Sequence, residues 1–251
     1  MTKQRRWLVW FSVAWGVVLV VGALYAVFNG KATVKEQRTI TQAQPVVDRA
    51  TETVVTAAGP VAVRIGGYDQ RETCRVTVAR AGLSFQRVIS LYTAPGEEKA
   101  LLKGLADRLP KDYRASLVGE SLYADAGEFI RVTGNIAGPG QVRVLASTGC
   151  RPAGDGPVRA KEQPDRAPVA AVFAVLGVEP LDWAAYHAGC VDTTVATTRS
   201  AVPGPLAAKF EGRELLIGTP ELVVFRDGAA SVVVTATAGS VSVSRTVTTC
   251  Q

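Results

Sequence analysis

Apolar and charged positions divide the chain sharply at its start. Trp7 to Phe28 is a run of twenty-two uncharged residues between Arg5-Arg6 and Lys31. Wound as a helix it would be roughly 33 Å long, against about 30 Å for the hydrocarbon core of a bilayer. The run is expected to be a membrane anchor at residues 7–28, with Trp7, Trp10, Trp15, Tyr25 and Phe28 supplying aromatic ends. Lys3, Arg5 and Arg6 precede it, and the positive-inside rule then keeps residues 1–6 in the cytoplasm and sends the rest out. The competing reading is a cleaved signal peptide with Val21-Gly22-Ala23 as its small-residue site, but a signal core usually has only about 7–15 apolar residues. Arg5-Arg6 invites a twin-arginine export reading that Lys3-Gln4 and Trp7-Leu8-Val9 fit poorly.

After the run, period-3.6 and period-2 patterns alternate. Pro45 to Ala58 and Pro168 to Leu176 are helical in pattern, as is the stretch after Pro95, where Leu101, Leu102, Leu105 and Leu109 form one stripe that Pro110 stops. Ser84 to Thr93 reads as a strand. Phe129-Ile130-Arg131-Val132-Thr133, a turn at Ala137-Gly138-Pro139-Gly140 and Gln141-Val142-Arg143-Val144-Leu145 read as a hairpin. Ser231-Val232-Val233-Val234-Thr235, a turn at Ala238-Gly239 and Ser240-Val241-Ser242-Val243-Ser244 read as another, and Asp227-Gly228 marks a further hairpin turn.

These patterns occur in the same order twice. Each copy has a helix, a strand led by a cysteine (Cys74-Arg75-Val76-Thr77-Val78 and Cys190-Val191-Asp192-Thr193-Thr194-Val195) and a closing hairpin that ends in a second cysteine, Cys150 or Cys250. The counterpart of the leucine helix, Pro203 to Phe210, is shorter. The expected fold class is α+β: one N-terminal transmembrane helix followed by two related antiparallel-sheet domains, each with packed helices. The expected divisions are a tail at 1–6, the span at 7–28, a stalk at 29–44, a first extracytoplasmic domain at 45–150, a linker rich in proline, glycine and charge at 151–167, and a second domain at 168–251. The stalk, also readable as a helix continuous with Val46 to Ala58, holds too few apolar residues (Ala32, Val34, Ile40, Ala43) for a strong membrane-lying face.

Four cysteines in an exported chain imply two disulfides, with three possible connectivities. Side chains two apart on a strand share a face. Cys74 is in phase with Val76 and Val78, and Cys150 with Val142 and Val144, whereas Cys190 and Cys250 fall on the polar phase of their strands. Parity therefore favours Cys74–Cys150 and Cys190–Cys250.

Charge narrows the partners. Three of the 28 basic side chains precede the span and all 22 acidic ones follow it, so the outer part carries 25 against 22. That balance, without a basic stripe, gives no reason to expect a nucleic-acid partner. The expected partners are the cytoplasmic membrane and another envelope protein or ligand. Arginine in excess of lysine, with abundant alanine and valine, suggests a high-GC bacterial genome.

Candidate chemistry is sparse. His187 is the one histidine, so Ser-His or Cys-His catalysis would have to use it. Were Trp183 to His187 helical, Trp183, Tyr186 and His187 would cluster as packing rings. No Gly-x-Ser-x-Gly or Ser-x-x-Lys occurs, and one histidine beside four disulfide cysteines leaves no usual zinc set. Glu97-Glu98 reads as a helix start, Asp125 with Glu128 as turn flanks, and Ala137-Gly138-Pro139-Gly140 and Gly154-Asp155-Gly156 as turns. No catalytic, cofactor or metal residues are assigned. The residues singled out are the four cysteines and the anchor markers Arg5, Arg6, Trp7 and Phe28.

In layout the chain resembles the uncharacterised single-pass, membrane-anchored exported proteins of high-GC bacteria. The resemblance rests on the anchor, the segment Lys31-Ala32-Thr33-Val34-Lys35-Glu36-Gln37, and the strand endings Ser147-Thr148-Gly149-Cys150 and Val247-Thr248-Thr249-Cys250. It implies no known activity. The expected function is a non-catalytic binding or interaction protein of the cell envelope. The alternatives are an exported hydrolase acting on an envelope substrate, or a subunit of a secretion or wall-assembly complex. Gly16 and Gly22 would then mark a contact face on the span.

Overall fold

A computed structural model of the chain describes residues 3–29, 38–78, 80–152, 156–157, 164–202 and 204–250. Among these the fold is α+β, with four α-helices and two six-stranded antiparallel sheets. The first helix, α1 (Lys3–Asn29), is apolar on all sides, and its described side chains from Trp7 to Ala26 are exposed. Trp7 stacks on Phe11 with ring centroids 5.8 Å apart. Among the described residues, nothing lies within 4 Å of a Cβ placed at Gly16 or Gly22.

The second helix, α2 (Ile40–Ala58), opens with a capping box. The Thr39 hydroxyl accepts from the Gln42 N–H, and the Gln42 side chain accepts from the Thr39 N–H. Ile40, Ala43, Val47, Ala50, Val54 and Ala58 recur at helical spacing and are buried. The helix thus begins five residues before Pro45, and Ile40 and Ala43, expected in the stalk, belong to the core.

The first sheet follows, with β1 (Ala62–Thr77), β2 (Arg80–Tyr92), β3 (Ser116–Val118), β4 (Ser121–Asp125), β5 (Arg131–Gly138) and β6 (Gln141–Pro152) in the order β1-β2-β6-β5-β4-β3. Between β2 and β3 lies α3 (Glu98–Arg108), whose Leu101, Leu102 and Leu105 join α2 and the sheet in one core with Ile65, Ile89, Leu122 and Val144. The tight β5–β6 turn needs Gly140: its φ is +70°, and a Cβ there would lie 2.6 Å from the Thr93 carbonyl oxygen.

After α4 (Arg166–Leu176) comes the second sheet: β7 (Asp182–Ala188), β8 (Val191–Thr198), β9 (Leu215–Gly218), β10 (Leu222–Asp227), β11 (Ala230–Thr237) and β12 (Ser240–Thr248). Its order, β7-β8-β12-β11-β10-β9, repeats that of the first sheet strand for strand, and a short 3-10 turn, Leu206–Phe210, stands where α3 stands. Phe173 and Leu176 of α4 pack with Phe210, Phe225, Val234 and Val243 in a second core.

The two sheets share a third apolar cluster: Ala62 and Tyr92 from the first, and Ile217, Leu222, Val224 and Val233 from the second. Here β1, an edge strand of its own sheet, lies across the face of the other. An edge strand leaves backbone N–H groups unpaired, which is costly when they are buried. The N–H of Val63 donates to the Ser231 hydroxyl at 3.0 Å, and that of Ile65 to the Thr193 hydroxyl at 3.4 Å. Buried Ser231 and Thr193 thus serve as acceptors for the edge.

The structure differs from the sequence reading at further points. The strand β6 runs through Pro152 and α4 begins at Arg166, so the expected linker at 151–167 is shorter at both ends. Arg151, expected in that linker, is 1% exposed and donates to the carbonyl oxygens of Thr148 and Glu128. Cys74 does not lead a strand but sits near the end of β1, and Cys190 occupies the β7–β8 turn. The disulfides, Cys74–Cys150 with Cα atoms 5.9 Å apart and Cys190–Cys250 with Cα atoms 5.1 Å apart, each staple the first hairpin of a sheet to the end of its last strand. Strand parity is not what joins the second pair. Neither Cys190 nor Cys250 lies in a strand, and both pack against the first core rather than on an outer polar face.

Candidate functional site

Where α2 passes the β7–β8 turn, the two halves leave an open cleft of about 500 Å³. Helical spacing builds one wall, because Gln44, Asp48 and Glu52 stand four apart on α2 and share a face. The other wall is the end of β7, with His187 and Gly189. Thr41 at the mouth donates its hydroxyl to the Gly156 carbonyl oxygen at 2.8 Å.

Beneath Asp48 lies a polar floor. The Asp48 carboxylate accepts from the Tyr68 hydroxyl at 2.6 Å and from Arg87 Nη1, while Arg87 Nε donates to the Gly66 carbonyl oxygen at 2.9 Å. The guanidinium carbon is 5.0 Å from the centre of the Tyr68 ring. Burial, followed by the hydrogen bond to Asp48 and that carboxylate's charge, pushes the Tyr68 hydroxyl far above its ordinary range. It therefore stays protonated and acts as a donor.

On the opposite wall His187 Nδ1 lies 2.6 Å from Asp192 Oδ1, and both side chains face water. The segment holding His187 is strand β7, not a helix, so Trp183, Tyr186 and His187 do not gather as three rings. Trp183 packs against the second core and Tyr186 against the first, and its ring lies close to Gly67. Gly189 has φ +59°, and a Cβ there would overlap the Glu52 carboxylate, so glycine alone admits that group this close. Ligand atoms of Glu52, Cys190 and Cys250 come within 4.8 Å of one another, but both sulfurs are held in the disulfide. To a cation that trio offers one carboxylate.

Chemically the cleft is rich in acceptors, with two carboxylates from α2, an imidazole paired to a third carboxylate, and Arg49 at the rim. Of the residues singled out from sequence, Cys190 and Cys250 adjoin it. Cys74 and Cys150 lie at the other end of the first sheet's long hairpin, and Arg5, Arg6, Trp7 and Phe28 are all within α1. Glu97 and Glu98 open α3, and Asp125 accepts from the Gly127 N–H in the β4–β5 loop.

Asp48, Glu52, Tyr68 and Arg87 escaped the sequence reading. One signal was present: Phe85, Arg87, Ile89 and Leu91 share the buried phase of β2, so an arginine there needs a buried partner. The chain matches no protein-family model, no curated protein and no solved structure.

Proposed function

We propose that the chain is a non-catalytic binding or interaction protein of the cell envelope, held in the cytoplasmic membrane by α1, with a cytoplasmic N-terminus and an extracytoplasmic body. The observation that carries this reading is the fully exposed apolar surface of α1 from Trp7 to Ala26. A helix apolar on every side and packed against no other described residue needs a non-aqueous solvent. Two disulfides support an oxidising compartment for the body. The matching strand orders support descent of the two halves from one duplicated unit, with domains near 45–150 and 168–251. The ligand or partner site is the cleft between α2 and the β7–β8 turn, a junction of the kind where ligands often bind.

The His187–Asp192 pair favours a second reading, an exported hydrolase with that imidazole as its base. Crosslinking in intact cells with a photoreactive residue at Arg49 separates the readings from each other and from a role in a secretion or wall-assembly complex. A discrete crosslinked partner supports binding, and a large multi-protein adduct supports assembly. Recovery as a lone species counts against both. A hydrolytic activity lost in His187→Ala would establish the second reading.

A further inference from the structure

We infer that the end of the body nearest α1 is a lipid-contacting surface: the β1–β2 hairpin tip and the β4–β5 loop meet the bilayer, with Val78 and Phe129 entering the interface and arginines beside them taking anionic headgroups. This rests on the reading of α1 as an anchor.

The placement follows from the path of the chain. The end of α2 at Ala58 leads within four residues into β1, and the Tyr68 hydroxyl reaches Asp48 and the Gln44 carbonyl oxygen. Helix and strand therefore run antiparallel. Beyond Tyr68 the strand continues nine residues to Thr77, about 30 Å when extended, whereas only four residues of α2 precede Gln44, about 6 Å. The hairpin thus projects beyond the start of α2, on the side from which the membrane helix joins. A chain of contacts ties the same end together. Arg38 pairs with Glu128 at 2.9 Å, buried Arg151 donates to the Glu128 carbonyl oxygen, and neighbouring Cys150 is bonded to Cys74 on the hairpin. Asn29 ends α1 nine peptide steps before Arg38, which limits the separation to about 30 Å. The hairpin and the loop therefore lie at the end of the body where the chain arrives from α1.

Their chemistry suits that position. Val78 is 90% exposed at the hairpin apex, and the Arg75 guanidinium holds its carbonyl oxygen at 2.9 Å. Between Thr73 and Arg80 the only charged residues are Arg75 and Arg80. An apolar apex between cations is the arrangement that inserts at an anionic interface. Asp69 and Glu72 lie lower on the hairpin with Arg71. In the loop, Phe129 is half exposed with φ +63° and follows Glu128 at φ +52°. Arg114 and Arg131 flank it in a hollow of about 330 Å³, with Asp125 as the acid there. Arg38 and Arg151 pin the neighbouring Glu128, and the Phe129 side chain is left half exposed.

The test uses the full chain in nanodiscs, with and without an anionic phospholipid, carrying an environment-sensitive fluorophore on Val78→Cys, Phe129→Cys or, at the opposite end, Asp227→Cys. In anionic discs the probes at 78 and 129 should shift to shorter wavelength and be quenched by spin-labelled lipid. The probe at 227 should do neither, and Arg75→Ser with Arg80→Ser should abolish the response at 78. Probes at 78 and 129 that stay in water, or that respond only when a second protein is added, overturn the lipid surface while leaving the anchor intact. Alkaline carbonate that strips the chain from the discs overturns the anchor and this inference together.

Discussion

Arg87 and Asp48 form a charged pair between β2 and α2, the arginine only 3% exposed and the carboxylate at the floor of the cleft. The pair ties α2 to β2 on the helix face that carries Gln44 and Glu52 toward the β7–β8 turn. Burying the guanidinium is costly unless it is paired, and Asp48 accepts from its Nη1 while the Gly66 carbonyl oxygen accepts from its Nε.

Removing one partner should hurt more than removing both. Arg87→Met leaves Asp48 and Tyr68 facing each other without a cation. It should cost about 2–4 kcal/mol, below the top of the range for buried pairs because Asp48 retains contact with water. Asp48→Leu combined with Arg87→Met should recover part of that loss. Urea unfolding of the two single variants and the double variant gives the coupling directly.

The Glu98 carboxylate accepts N–H groups from Gly140 and Gly96, and these, with its own N–H, hold its pKa below the ordinary value. A group depressed in the folded state stabilises fully above its unfolded pKa. That contribution is lost as pH falls through the folded value. Thermal unfolding of Glu98→Gln should therefore show a lower Tm than the parent at neutral pH, with the gap closing on acidification. A gap that widens in acid would contradict the assignment.

Gly189→Ala places a methyl group where Glu52 lies and forces a left-handed backbone onto alanine. The cost should be about 1–2 kcal/mol, with Glu52 displaced from the cleft. Binding of any ligand captured by crosslinking should weaken more in this variant than in Gly228→Ala, at the remote β10–β11 turn where a Cβ meets open space.

Each disulfide closes a loop, of 76 residues for the first pair and 60 for the second. On the chain-entropy model that contributes about 4–5 kcal/mol apiece as an upper bound. Because Cys190–Cys250 packs against the first core, its double serine variant should loosen both halves. Loss of Cys74–Cys150 should mainly free the exposed hairpin, and hydrogen exchange resolves the two patterns. Non-reducing peptide mapping should recover both pairs. A Cys150–Cys190 peptide would contradict the duplicated plan.

Several elements were legible because their periodicity is local. The leucine stripe of α3, the alternation in β12 and the glycine turns all announce themselves within a dozen residues. The rest depends on contacts distant in sequence. Ser231 and Thr193 look like solvent-facing members of an alternating strand, and only the approach of β1 turns them into buried acceptors. Trp183 to His187 fits helical and extended spacing equally well, and pairing with β8 decides between them. Arg151 follows a cysteine in a segment of linker composition, yet it is buried because the Glu128 and Thr148 carbonyl oxygens need its donors. The cleft unites α2 with a turn some 140 residues later, a distance that no sequence window spans.

Protease treatment of intact spheroplasts, followed by identification of the fragment left in the membrane, tests the anchored, outward-facing body most directly. Digestion of nearly everything after Asn29, with a protected peptide starting at the native N-terminus and containing Trp7 to Ala26, is the predicted result. Full protection would reverse the orientation, and soluble mature protein with a new N-terminus near Leu24 would remove the anchor.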